Sequence, residues 1–214
     1  MSNPARHERQ VMCDVFQEFG PDAPTLCEGW NARDLAAHLI VRETRPDAAI
    51  GILVKKAEPY SEKVRRSVAD KQWSDLIDTI RKGPPKVSPM RLSAVDRVAN
   101  TLEFFVHVED VRRAQPTWSP RELAPEVDAQ LRAMLQRGAK LLARKSPCGL
   151  ELEITNGSDS PTHITAKKGD PSVTLRGSAA EIVLFLYGRQ AHSKVELSGP
   201  EDRVAAVRSA KFGV

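Results

Sequence analysis

Residues 101–114 read TLEFFVHVEDVRRA, an apolar helical run that carries Glu103 and His107 four positions apart. On a wheel of about 100° per residue with Glu103 at zero, His107 falls at roughly 40° and Asp110 at roughly 340°, so three polar groups line one stripe. Glu109 falls at roughly 240°, on a face where water can solvate it. The flanks of the stripe, Val106 and Val111, are apolar, which suits a stripe turned toward a cavity inside a helical bundle. A carboxylate and an imidazole one turn apart can reach a single metal ion. Asn100 and Asp96, on or near the same stripe, are placed to act as outer partners of the ligands.

Working outward, the apolar positions Val95, Val98, Leu102, Phe105 and Val106 predict a long helix over 92–114, uninterrupted by Gly or Pro. A third donor, His38, sits in NARDLAAHLIVRET (31–44), where Asn31 reads as an N-cap with Asp34 three residues on. An imidazole on one helix and a Glu/His pair on another form a plausible three-ligand set for zinc or another divalent ion. Arg42 and Arg45 follow His38 and place cations that could clamp a substrate carboxylate. Plainer readings stand beside these: His38 as a core histidine, Glu103 and His107 as a surface pair, Asp110 as a partner of Arg113, and the arginines as solvated charges at a helix end. His7, His163 and His192 have no partners at ligand spacing and read as surface residues.

The remainder has two periods. Residues 4–19 predict a helix closed by Gly20-Pro21, 47–54 a further helical segment, and 73–82 a helix closed by Gly83-Pro84-Pro85, while 55–70 reads as a polar stretch. A turn at 115–120 leads to an amphipathic helix over 123–143. Beyond it the pattern becomes strand-like, at 150–155, 162–166, 172–177 and 194–199, with a buried helix over 178–189 between the last two. The expected fold class is α+β in two domains, a helical metal-binding bundle over 1–147 and an α+β domain over 148–214.

Composition excludes several classes. With 41% hydrophobic and 28% charged residues the chain is an ordinary globular one, so disorder is not expected. The net charge of +4 comes from 32 basic and 28 acidic residues spread along the sequence, with no basic stripe for nucleic acid. Three cysteines, Cys13, Cys27 and Cys148, lack C-x-x-C spacing, which argues against a disulfide framework or a cysteine zinc knuckle and fits a reducing cytoplasm. No apolar run has membrane-span length and the first residues lack a signal-peptide core, so a cytoplasmic, soluble protein is expected. Oligomeric state is not legible.

The run EGWNARDLAAHL (28–39) followed by EFFVHVEDVRRA (103–114) resembles the mycothiol-dependent maleylpyruvate isomerase group within the DinB-like metal-binding bundles. More narrowly, it is similar to an actinobacterial set of metal-binding proteins. VTLRGSAAEIVLFLYGR (173–189) is similar, more loosely, to the small sterol-carrier-like α/β domain that follows the bundle in several members. The resemblance implies a four-helix bundle whose zinc is held by His38, Glu103 and His107. It also implies an arginine contributed by the C-terminal domain, for which Arg189 is the nearest candidate. The expected activity is that of a transferase or isomerase in which the metal activates a low-molecular-weight thiol such as mycothiol toward a small, acidic, electrophilic substrate. Asp110 or Asn100 would orient a ligand imidazole. The alternative is a non-catalytic metal-binding protein whose C-terminal domain takes a lipid-like ligand or a partner.

Overall fold

The computed structural model describes residues 3–45, 47–48, 58–84, 100–155 and 160–213, which fall into two compact units, Met1–Ser119 and Pro120–Val214. The described helices of the first unit are α1 (Pro4–Phe19), α2 (Ala32–Thr44), α3 (Glu58–Ala69), α4 (Trp73–Lys82) and α5 (Thr101–Arg112). Their ends follow local chemistry. Asn3 accepts a 3.0 Å bond from the Ala5 N–H while Pro4 supplies a preset first turn, and Gly20, at φ 79°, closes α1. At α2 the capping box forms in both directions: the Asp34 N–H donates to Asn31 at 3.0 Å and the Asn31 N–H to Asp34 at 3.2 Å.

Helix α1 packs against α5 and α4, and α2 against α3 and α4. The shared core is built from Met12, Phe16, Leu35, Leu39, Leu76 and Phe104. Through it runs one ion pair: buried Arg9 grips Glu43 with bonds of 2.5 and 2.7 Å, donates to the Ile80 carbonyl at 3.0 Å, and lies 4.4 Å from the centre of the Phe104 ring. One group therefore ties α1, α2, α4 and α5.

Helix α3 corrects the reading of 55–70 as merely polar. Val64, Val68 and Ala69 are buried, and Arg65 pairs with Asp34 of α2 and Glu62. So few apolar positions among charges hide a helix whose burial comes from its neighbours. Of the helix expected over 92–114, residues 92–99 lie outside the described residues, and so does the expected segment 47–54 beyond Ala48. Asp96 is likewise outside them.

The second unit comprises α6 (Pro125–Leu142), β1 (Gly149–Ile154), β2 (Thr162–Lys167), β3 (Ser172–Gly177), α7 (Ala179–Leu186), β4 (Glu196–Ser198) and α8 (Glu201–Ser209). The sheet order is β2-β1-β3-β4; β1 and β3 are parallel and the outer pairs antiparallel. Leu150, Leu152, Ile154, Val173 and Leu175 are buried, as is most of α7. Helix α6 packs on β2 and α7, so the division falls at 119/120 rather than at the expected 147/148. Its buried stripe, Val127, Leu131, Leu135 and Ala139, belongs to the sheet's core. Helix α8 was not anticipated: only Val207 in it is buried, leaving little apolar period to read.

β2 and β3 flank β1, so residues 168–171 must cross the start of β1. There the two backbones nearly touch: a Cβ on Gly169 would lie 2.8 Å from the Gly149 nitrogen, and one on Gly149 would overlap the Gly169 carbonyl. Gly149→Ala is therefore expected to destabilise the protein by about 1–3 kcal/mol, read by urea unfolding of the isolated substitution. An unchanged midpoint would show that the crossing has slack.

Candidate metal centre

The structure gathers the side chains of α2 and α5 around one carboxylate oxygen. Nε2 of His38 lies 3.3 Å, and Nε2 of His107 3.4 Å, from Oε1 of Glu103. The two imidazoles meet edge to face with centroids 5.4 Å apart, and Trp30 lies 5.1 Å from the His38 ring. One ligand atom from each of His38, Glu103 and His107 fits within 4.8 Å of the others. Ligands held about 2.0–2.1 Å from a tetrahedral ion are about 3.4 Å apart, so the observed spacings suit one ion. The His38 and His107 side chains are 12% exposed and that of Glu103 25%, which leaves the cluster shielded yet reachable.

Behind His107 stands Asp110, with no exposed surface. Its Oδ2 lies 2.9 Å from His107 Nδ1, so the imidazole faces Glu103 with one nitrogen and Asp110 with the other. The Cys27 thiol donates to the same Oδ2 at 3.3 Å. Cys27, which sequence spacing did not single out, is brought there by the loop before α2, whose Leu26 N–H bonds the Asp110 carbonyl at 3.0 Å. The only signal available was its position just ahead of the EGW segment.

The electrostatics follow. Burial above all pushes the His38 imidazole down, the bond to Glu103 only partly opposes it, and the neighbouring His107 and Arg42 add to the lowering. Burial would also raise the Glu103 carboxyl, but the hydrogen bonds from His107 and His38, together with the Arg42 charge, hold it well below the usual carboxylate range. For His107 burial acts downward, yet bonds to Asp110, Cys27 and Glu103 outweigh it and lift the imidazole well above its ordinary value. The cluster is thus built around a firmly ionised carboxylate.

The other expected site residues have these contacts. Arg42 approaches Glu103 at 3.3 Å and donates to Asn100 at 2.5 Å. Arg45 turns away, bonding exposed Asp47 at 2.8 and 3.0 Å and the Tyr60 hydroxyl at 3.0 Å, and does not form a paired clamp with Arg42. Glu109 is off the stripe as expected, but it is buried rather than solvated, pairing with Arg113 at 2.6 Å and Arg112 at 3.1 Å. Arg113 is therefore a partner of Glu109. Arg189 belongs to the second unit, where it donates to the Tyr187 carbonyl at 2.5 Å.

Fold and site together describe a mixed helix-and-sheet protein with a candidate centre of two histidines and one glutamate, carried on two helices of the first unit. Among solved structures the chain is similar to the crystal structure of the mycothiol-dependent maleylpyruvate isomerase, with a TM-score of 0.61, 16% identity, and 91% of this chain and 90% of that one covered. It is also similar to a histidine-to-alanine mutant of that isomerase, with a TM-score of 0.60, 14% identity and coverage of 91% and 90%. At such identity the likeness establishes a shared fold. No family model matches the chain, and no curated protein matches it. No helix among the described residues is long and apolar enough to cross a membrane.

Proposed function

We propose that the protein is a divalent-metal-dependent enzyme, with zinc as the preferred ion, that activates a low-molecular-weight thiol such as mycothiol for S-transfer or isomerisation. The observation that carries this reading is the convergence of His38 Nε2, His107 Nε2 and Glu103 Oε1, with Asp110 behind His107. The fold shared with a mycothiol-dependent isomerase supports it. His38, Glu103 and His107 would hold the ion through two imidazoles and one carboxylate, a set that leaves a coordination position for an exogenous group. An ion so held supplies Lewis acidity and lowers the proton affinity of a thiol or water presented to it.

The chain's own residues do the rest. Asp110 accepts the Nδ1 proton of His107 and so keeps the Nε2 lone pair directed at the ion. Trp30 packs its ring, tilted, 5.1 Å from that of His38 and would limit the approach of water on that side. Arg42, anchored by Asn100, puts positive charge beside Glu103 and favours an anionic substrate. The helical unit is read as a DinB-like four-helix bundle, the second unit as a sterol-carrier-like domain, and the setting as cytoplasmic.

The test is the metal content of the purified protein together with its consumption of mycothiol in the presence of a generic electrophile. Bound zinc and thiol consumption abolished by a chelator are expected. A protein that holds zinc but consumes no thiol would be a metal binder, and one that holds no metal would overturn the site. Asp110→Asn, nearly isosteric, is expected to lower zinc affinity about 10–100-fold, measured by competition with a chromophoric chelator. Unchanged affinity would remove Asp110 from the orienting role.

A further inference from the structure

We propose that Cys27, His107 and Asp110 form a second ion position, selective for thiophilic cations and mutually exclusive with the first. The three donors come from the loop before α2 and from α5. Cys27 Sγ lies 3.3 Å from Asp110 Oδ2 and 3.9 Å from His107 Nδ1, and those two atoms are 2.9 Å apart. A tetrahedral ion with one sulfur, one nitrogen and one oxygen ligand sets these edges at about 3.4–3.6 Å, so shifts of about half an ångström complete the site. One atom from each residue already falls within 4.8 Å of the others.

The loop is built to present the thiol. Thr25 Oγ1 accepts from the Cys27 N–H at 3.1 Å and donates to the Trp30 carbonyl at 2.8 Å, while Pro24 and Asn31 form a bridge across the base of the loop. Cys27 is only partly buried, so a cation can approach from its side, whereas Asp110 is fully enclosed. A sulfur ligand selects cadmium, zinc or copper(I) over magnesium, calcium or manganese. Binding a divalent ion here breaks the Cys27 S–H and His107 Nδ1–H bonds and forms sulfur–metal and nitrogen–metal bonds; the displaced protons go to solvent while the imidazole keeps a single proton, on Nε2.

Exclusivity follows from the imidazole itself. His107 faces Glu103 with Nε2 and Cys27 and Asp110 with Nδ1, on opposite sides of the ring. A neutral imidazole has one free lone pair. An ion on Nδ1 therefore leaves the proton on Nε2 and removes His107 from the first position, while displacing the hydrogen bond by which Asp110 orients it. A thiophilic cation then expels the ion of the His38, Glu103 and His107 set, which makes the protein responsive to such metals.

Cadmium titration followed by the ultraviolet thiolate-to-cadmium charge-transfer band tests this in a Cys148→Ser background. The remaining thiol, Cys13, is fully enclosed and pushed up to about 11 by burial. The band is expected in this background and with His38→Ala added, and is expected to be lost on adding Cys27→Ser or His107→Ala. Zinc preloaded at the first position should be released one for one as the band grows. No band in the background protein, a band that survives Cys27→Ser, or zinc retained as the band saturates would each overturn the proposal. The His38→Ala arm keeps the two sites apart, because the first position loses a ligand there while the second is intact.

Discussion

Replacing His107 with alanine is expected to leave the protein unable to retain metal through dialysis against a chelator. In the proposed site His107 would supply one of three ligand atoms, so zinc affinity should fall by more than the about 10–100-fold that removal of an outer partner costs. The residual pair, His38 and Glu103, sits 3.3 Å apart and can offer an ion only two donors. The same change leaves buried Asp110 without its 2.9 Å imidazole partner, adding a stability cost of about 1–3 kcal/mol. Exogenous imidazole, which fits the space vacated by the ring, should restore part of the metal content. Elemental analysis decides the matter: full zinc retention in His107→Ala would sink the metal reading.

Glu43→Ala is expected to produce the largest loss of stability. Arg9 would remain enclosed by α1, α2, α4 and Phe104 with its charge facing a void where two bonds of 2.5 and 2.7 Å had been. The Ile80 carbonyl alone, at 3.0 Å, cannot compensate a guanidinium removed from water. Breaking one side of such a buried pair costs about 3–5 kcal/mol, which lowers the melting temperature by on the order of 10 °C. Replacing both partners together, as Arg9→Met with Glu43→Leu, should cost far less because no charge is stranded. A thermal-melt double-mutant cycle separates these outcomes, and a loss under about 1 kcal/mol for Glu43→Ala alone would show that water reaches the pair.

Much of the architecture was legible because its signals are local. Asn31 and Asp34 announce the start of α2, Gly20 the end of α1 and Gly83 the end of α4, through backbone chemistry that acts within a few residues. The alternating runs after residue 149 likewise marked the four strands among the described residues. Helix α3 and the allegiance of α6 were not legible in this way. Both depend on what covers a weak or ambiguous apolar face: Arg65 reaching Asp34 in one case, β2 and α7 receiving Leu131 and Leu135 in the other.

The site divides along the same line. Helical spacing by itself determined that Glu103, His107 and Asp110 share one stripe, since the rotation per residue is a property of the helix. Only the tertiary structure decided that His38 meets that stripe, that Asp110 takes the far nitrogen of His107, and that Cys27 joins them. It likewise turned Arg45 outward to Asp47 and enclosed Glu109 with Arg113. The physical reason is that a residue's periodicity states which face it occupies, whereas its partner is chosen by the packing of another element against that face, a choice made by burial and charge pairing across long sequence separations.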